Sequence, residues 1–205
     1  MMRMLIMRIA KLLGSTFVSS LLFLSLITSA QAQYDTPTDT VQNMLDNVFA
    51  ILRAPDFDLD RDKAAIDEAV SGAFDPNTIA QSALAASYRD LTTEQRREFE
   101  ELFFDVLKQT YIERLDSYTN ETVEILGESV DAPRATVDSV VNTSSSDIAV
   151  QYSLRQRPDG WYIYDIIVED VSLLSSYRST YRSIIRRSGI DALFEELRTQ
   201  AATLE

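Results

Sequence analysis

The stretch that decides the fold reads Asp159-Gly160-Trp161-Tyr162-Ile163-Tyr164-Asp165-Ile166-Ile167-Val168. Its first two residues favour a hairpin turn and the rest favour a strand. Side chains of a strand alternate between two faces, so apolar residues at both odd and even positions predict burial on both faces. Ser172 then provides an N-cap for an amphipathic helix. We expect helices over one face, and a second layer or a ligand over the other.

The segments before this strand alternate apolar and polar residues, with turn residues at regular intervals. Strands are predicted over residues 121–127, 134–142 and 148–154. Because short turns connect them, they are expected to form a four-stranded antiparallel sheet with the 161–168 strand, spanning about residues 121–168.

Helical periodicity dominates the rest of the chain. A helical part is predicted over about residues 36–118, including a third helix that carries Tyr88 and a long final helix that ends near Tyr118. Two C-terminal helices are predicted over about residues 172–199. The predicted fold class is therefore α+β, with a helical layer packed on one antiparallel sheet.

The composition excludes several kinds of chemistry. The chain has 205 residues, no cysteine and no histidine, so disulfides, thiolate nucleophiles, Cys/His zinc sites and histidine-dependent triads are excluded. With five glycines, a glycine-rich nucleotide loop is not expected. We predict no catalytic residue, no metal and no cofactor.

Carboxylates are the acid/base groups that remain. The run from Asp56 to Asp62 has calcium-loop spacing but lacks the glycine and the glutamate that such a loop requires, so these acids are expected to cap a helix. Asp165 lies within the apolar strand, where a carboxylate must be hydrogen-bonded or neutral, and we expect it to brace a neighbouring backbone or arginine. A carboxylate hydrolase would need two converging acids, and no spacing indicates such a pair.

The first 32 residues have the pattern of a cleavable signal peptide. They carry three positive charges, an apolar run and Ala30-Gln31-Ala32, so the mature chain is expected to begin at Gln33 and to form a single domain over residues 33–205. The alternative is an N-terminal membrane anchor. Cleavage predicts an exported protein, which in a Gram-negative bacterium is periplasmic.

The net charge of the chain limits the kinds of molecule that it can bind. The net charge of −13 becomes −16 when the three positive charges of the leader are removed, which argues against binding to nucleic acid or to anionic membranes. A local reversal occurs where Arg178, Arg182 and Arg186 recur at four-residue spacing. This basic stripe fits lipid phosphates or an acidic partner; the alternative is a solvated helix face.

Several of these segments, taken in order, resemble a known family. They include Gly160-Trp161-Tyr162-Ile163-Tyr164-Asp165, then Val171-Ser172-Leu173-Leu174 with Tyr177-Arg178, then Gly189-Ile190-Asp191-Ala192-Leu193. The earlier run from Tyr111 to Tyr118 fits the same pattern. Over about residues 36–197 the chain resembles the MlaC family, also called the toluene-tolerance or Ttg2D-like family.

The resemblance implies a periplasmic carrier that shuttles phospholipid between the outer membrane and an inner-membrane ABC transporter. It implies an NTF2-like sheet with a helical part, and acyl chains held in a cavity between them. The implied partners are the ABC transporter complex and an outer-membrane lipoprotein complex, without nucleic acid and without stable membrane insertion. We expect a monomer. A related carrier in hopanoid-producing bacteria leaves a different lipid cargo as an alternative.

The predicted cavity lining combines the inward face of the sheet with the facing helices. It consists of Leu102, Phe103, Val106, Tyr111, Val123, Ile125, Val137, Val150, Tyr152, Trp161, Ile163, Leu174 and Tyr177. Arg178 or Arg182 is predicted to meet the headgroup or a partner. The competing hypothesis is an exported NTF2-like adaptor with a fully packed core. An internal apolar cavity would discriminate between the two.

Overall fold

The computed structural model describes residues 36–113, 115 and 121–204. The predicted signal peptide lies outside the described residues. The described elements are, in chain order, α1 (Pro37–Leu52), α2 (Leu59–Ser71), α3 (Pro76–Leu84), a 3₁₀-helix (Ala85–Asp90), α4 (Thr93–Ile112), β1 (Thr122–Asp131), β2 (Arg134–Asn142), β3 (Asp147–Arg157), β4 (Gly160–Val168), β5 (Val171–Ser172), α5 (Leu173–Ser188) and α6 (Ile190–Leu204). The predicted α+β class is confirmed.

The strands form one antiparallel sheet in the order β1-β2-β3-β4-β5. The four predicted strands are present, and β1 extends beyond the predicted Gly127 to Asp131. The fifth strand was not predicted, because its two residues, Val171 and Ser172, are too few to show a periodic pattern.

Side-chain caps fix the starts of the helices. The Thr36 hydroxyl accepts a hydrogen bond from the Asp39 backbone N–H at 3.0 Å, and the Ser172 hydroxyl accepts one from the Ser175 N–H at 2.9 Å. Ser172 is the N-cap that the sequence predicts, and Thr36 lies at the predicted start of the helical part. Short polar side chains at such positions satisfy backbone donors that the first turn leaves free.

Some helix ends differ from the prediction. Helix α3 ends at Leu84, because Ala85 has a φ of 51°, and Tyr88 lies in the following 3₁₀-helix. Helix α4 ends at Ile112, whereas the predicted end near Tyr118 falls outside the described residues. Helix α6 continues past the predicted end at Thr199 to Leu204.

A β-bulge in β4 explains why this strand is apolar at both odd and even positions. In the pairing with β3, Ile163 lies opposite Leu154 and Asp165 lies opposite Ser153, so Tyr164 between them has no partner residue. One extra residue in a strand reverses the alternation of side chains beyond it. The two halves of β4 therefore direct residues of opposite parity to the same face.

That face of the sheet packs beneath α1. Trp161 before the bulge and Ile166 after it belong to one apolar cluster, which also contains Val41 of α1. Tyr162 and Ile167 point to the other face and are only half-buried. Apolar residues at both odd and even positions of β4 therefore do not by themselves require that both faces be covered, because strict alternation does not hold across a bulge.

A second apolar core lies among α3, α4, α5 and α6. Its centre is a group of aromatic rings, in which Phe103 of α4 meets Tyr177 and Tyr181 of α5 at centroid distances of 5.2 Å each, in edge-to-face arrangements. Phe99 meets Phe194 of α6 in a similar way at 6.2 Å. Such ring pairs stabilise a core beyond their area burial.

A buried ion pair connects this helical core to the sheet. Asp75, at 7% side-chain exposure, caps α3 by accepting the Thr78 backbone N–H at 2.9 Å. The same carboxylate accepts a hydrogen bond from Nε of Arg157, at the end of β3, at 2.7 Å. The Asp75 N–H also donates to the Ile163 carbonyl at 2.9 Å, so this segment covers part of the free edge of β4.

Substitution of Asp75 is therefore expected to destabilise the fold. We predict that Asp75→Ala lowers the free energy of unfolding by about 2–4 kcal/mol, because the substitution removes a helix cap and leaves the Arg157 guanidinium without its partner. Glu101→Ala is the matched control, because the Glu101 ion pair with Arg97 is 68% and 79% exposed and should contribute less than about 0.5 kcal/mol. Urea denaturation of both variants measures the difference. Equal effects would contradict this account.

Candidate ligand-binding cavity

An apolar cavity of about 250 Å³ lies between the helices and the sheet. Helices α1, α2 and α4 form one wall, and β3, β4 and the start of α5 form the other. The lining consists of Met44, Leu45, Val48, Val70, Phe74, Ile79, Phe103, Phe104, Leu107, Lys108, Tyr111, Ile112, Leu115, Tyr152, Tyr164, Asp165, Ile166, Leu173, Leu174 and Tyr177. Its volume is close to the lower end of the range of about 300–1,000 Å³ that is usual for small-molecule sites.

The chemistry of the lining is almost entirely apolar. Eighteen of the twenty residues are aliphatic, aromatic or tyrosine, and only Lys108 and Asp165 carry a charge. The Tyr152 side chain is deeply buried, which raises its pKa to about 12 and keeps the phenol neutral. A cavity of this composition suits a ligand with a large apolar surface.

The bulge in β4 brings three consecutive residues to the cavity. Tyr164, Asp165 and Ile166 all line it, which regular alternation would not allow. The bulged Tyr164 is thus directed toward the space between β4 and α4, where Phe104 closes the opposite wall.

Asp165 is a structural group with both oxygens engaged. One oxygen accepts the Ser172 hydroxyl at 2.6 Å, and the other accepts the Leu174 backbone N–H at 3.1 Å. The carboxylate therefore ties the bulge of β4 to the first turn of α5, as the sequence predicted for a buried carboxylate that braces a neighbouring backbone. A negative charge near a helix N-terminus is also favourable.

Lys108 is the cation of the lining, and its stem runs along the wall. Its ammonium nitrogen lies 2.8 Å from Oδ1 of Asp67 on α2 and 3.2 Å from Oδ1 of Asp105. It also lies 5.2 Å from the centroid of the Phe104 ring. The pairing residues are 42% and 50% exposed, so this ammonium marks the edge where the cavity meets solvent.

The structure brings together some of the residues predicted to line a cavity. Phe103, Tyr111, Tyr152, Leu174 and Tyr177 line it. The other eight residues do not line the cavity. Two of them pack in the helical core, namely Leu102 and Val106, and two lie half-buried on β1, namely Val123 and Ile125. The remaining four are buried beneath α1: Val137, Val150, Trp161 and Ile163.

The predicted headgroup residues do not line the cavity. Nε of Arg178 donates to the Ser82 carbonyl at 2.7 Å and thereby joins α5 to α3, and Arg182 is exposed. Sequence reasoning missed Lys108 as the charged group of the cavity. The signal was a lone lysine among apolar residues, at helical spacing from Phe104 and Tyr111.

Neither a metal site nor a membrane span is found in the described part of the chain. Residues 36–113, 115 and 121–204 contain no cluster of three Asp or Glu side chains able to hold a metal ion. Within the same residues, no helix combines the length and the apolarity needed to cross a bilayer.

An open antiparallel sheet, a helical layer and an apolar cavity between them define a protein that binds an apolar ligand. The chain belongs to the MlaC family, whose model, described as "MlaC protein", matches residues 42–199. The resemblance noted in the sequence is thereby confirmed.

Relatives agree with this assignment. The chain is 22% identical over 197 residues to the "Intermembrane phospholipid transport system binding protein MlaC" of Haemophilus influenzae, covering 91% of this chain and 92% of that protein. It is 26% identical over 163 residues to the toluene tolerance protein ttg2D of Pseudomonas putida, covering 76% of each. A phospholipid-binding protein from Ralstonia solanacearum, solved in complex with a phospholipid, superposes with a TM-score of 0.72 at 26% identity and covers 80% of this chain and 96% of that one.

The contact of Asp165 with Ser172 provides a test of the geometry. We predict that Asp165→Ala and Ser172→Ala each lower the free energy of unfolding by about 1–3 kcal/mol, because each leaves a polar partner unsatisfied or removes a cap. The double variant should cost less than the sum, with a coupling of about 1 kcal/mol. Ser179→Ala, at an exposed position of the same helix, is the control and should stay within about 0.5 kcal/mol. Strict additivity in denaturant melts would show that the contact does not contribute.

Proposed function

We propose that the mature protein is a periplasmic lipid carrier that binds phospholipid acyl chains in the apolar cavity and shuttles the lipid between the two membranes. The cavity carries this proposal, because eighteen of its twenty lining residues offer no charge. A fully packed adaptor would have no such space. The phospholipid bound to the Ralstonia relative, which has the same fold, supports the choice of ligand.

A lipid carrier must offset the large free energy of removing a lipid from a bilayer. A diacyl lipid has about thirty methylenes, and each is worth roughly 0.8 kcal/mol on burial, so leaving a bilayer unaided costs on the order of 20 kcal/mol. A carrier lowers this cost by presenting an apolar surface of similar extent. The walls of the cavity come from separate elements, including Val48 of α1, Leu107 of α4 and Leu174 of α5, so acyl chains would lie between elements and not inside one of them.

The function follows from binding and release, not from bond chemistry. The charged groups of the lining are already paired: Asp165 with Ser172 and Leu174, and Lys108 with Asp67 and Asp105. Among residues 36–113, 115 and 121–204, no pair of unengaged acids lines the cavity, as a carboxylate-based hydrolase would require. We therefore assign a transport role without catalysis.

We also propose that the protein is exported and that it has a partner at each membrane. Residues 1–32 act as a cleavable signal peptide, and residues 33–205 form a single lipid-binding domain in the periplasm. The Haemophilus relative is named as part of an intermembrane phospholipid transport system. By extension, this protein receives or delivers lipid at an inner-membrane ABC transporter and at an outer-membrane lipoprotein complex, and it does so as a monomer.

Native mass spectrometry of the protein purified from the periplasm tests the carrier directly. We predict a bound phospholipid in the wild-type protein and a loss of at least about tenfold in Leu107→Asp, because a carboxylate placed in the cavity would lose its hydration without gaining a partner. The control is Leu126→Asp, the same substitution at a residue that is 61% exposed on β1. Its lipid content should be unchanged.

Two results would contradict the proposal. A wild-type protein that carries no lipid after native purification and after incubation with vesicles would support the adaptor. Equal lipid content in Leu107→Asp and Leu126→Asp would place the lipid elsewhere. Detection of a bound polycyclic lipid in place of a phospholipid would support the carrier function and identify a different cargo.

A further inference from the structure

Three charged residues form a cluster at the edge of the cavity. Lys108 lies between Asp67 of α2 and Asp105 of α4, with nitrogen to oxygen distances of 2.8 and 3.2 Å. We name these three residues the rim cluster. Lys108 is 15% exposed, whereas Asp67 and Asp105 are 42% and 50% exposed, so the lysine stem is held inside and its partners lie at the surface.

The rim cluster is positioned by the same elements that form the cavity. Lys108 is on α4 between Leu107 and Tyr111, which both line the cavity. Asp67 lies one turn before Val70, a lining residue of α2. The charges therefore stand directly beside the apolar wall, where the polar end of a bound amphiphile would emerge.

The other charge of the lining is not available to a ligand. Both carboxylate oxygens of Asp165 accept hydrogen bonds within the protein, from the Ser172 hydroxyl and the Leu174 N–H. Lys108 differs, because its ammonium has three donors and its ion pairs are with partly exposed carboxylates. Such exposed pairs are weak, so an incoming phosphate can share the ammonium.

The lysine is charged at neutral pH. Burial alone would lower the pKa of Lys108, but hydrogen bonds to Asp67 and Asp105 outweigh it and raise that pKa above its ordinary value. The rim cluster thus presents one positive and two negative charges side by side.

We propose that the rim cluster binds the headgroup of a zwitterionic aminophospholipid, with Lys108 donating to the phosphate and Asp67 and Asp105 accepting from the ammonium. This inference rests on the proposed carrier function and adds a headgroup preference to it. A zwitterionic headgroup has a phosphate and an ammonium joined by two carbons, and each meets a charge of opposite sign. An anionic headgroup has no ammonium, so its phosphate would lie beside two unneutralised carboxylates.

Competition between two phospholipids tests this inference. The delipidated mature protein is incubated with vesicles of equimolar phosphatidylethanolamine and phosphatidylglycerol with identical acyl chains, and bound lipid is extracted and quantified. The wild type should retain an excess of phosphatidylethanolamine. The double variant Asp67→Asn/Asp105→Asn should lower the ratio of the two lipids by about fivefold, because the attraction for the ammonium is lost.

Charge-matched variants separate a local effect from a change in net charge. Asp90→Asn/Asp147→Asn removes two exposed carboxylates that do not line the cavity and should leave the ratio unchanged. Lys108→Gln should reduce loading of both lipids, and Lys108→Arg should restore it. If the double variant does not fold, as judged by circular dichroism, Asp105→Asn alone should move the ratio in the same direction by about twofold.

The outcomes distinguish this inference from the carrier function. Normal loading of the Asp67→Asn/Asp105→Asn variant with an unchanged lipid ratio would overturn the headgroup assignment and leave the carrier function intact. Absence of both lipids from the wild type would contradict the carrier function itself. An equal shift of the ratio in the control variant Asp90→Asn/Asp147→Asn would assign the preference to overall charge and overturn the role of the rim cluster.

Discussion

The β-bulge at Tyr164 is the constraint on which the cavity depends. Without it, Ile166 would face away from α1, and β4 could not direct Tyr164, Asp165 and Ile166 toward one space. The bulge is held by Asp165, whose carboxylate joins it to Ser172 and to the backbone of Leu174. One local irregularity in a strand therefore sets the position of α5, and with it one wall of the cavity.

Helix α4 contributes both to the helical core and to the wall of the cavity. Phe99 and Val106 are buried in the helical core, whereas Phe104 and Leu107 pack against that core and also line the cavity. The aromatic group around Phe103 and the Asp75–Arg157 pair stabilise the fold on either side of this space. Phe103 and Tyr177 belong to this aromatic group and also line the cavity, so the helical core directly supports one wall of the space.

Much of the fold follows from local sequence. Periodicity and capping residues such as Thr36 and Ser172 predict the helices and the four long strands, because these signals act over a few residues. The bulge could not be predicted from the sequence, because it depends on the pairing of β4 with β3. With strict alternation assumed along β4, its apolar residues predicted burial of both faces. Trp161 and Ile163 were predicted to line the cavity and share its face of the sheet, but they lie nearer the start of β4, where they are buried beneath α1. The apolar stripe of α4 is wide, and the sequence does not show which of its residues line a cavity and which pack in a core. The position of Lys108 at the rim of the cavity was therefore not predicted.

The central claim is that acyl chains lie between α4 and the bulged strand. Photo-crosslinking tests it most directly, with p-benzoylphenylalanine incorporated in place of Tyr164 and, separately, in place of Tyr162, which lies two residues away on the opposite face. Irradiation of the lipid-loaded protein should yield a covalent lipid adduct from position 164, detected by intact-protein mass spectrometry, and none from position 162. Equal adducts at both positions, or an adduct from position 162 alone, would contradict the account.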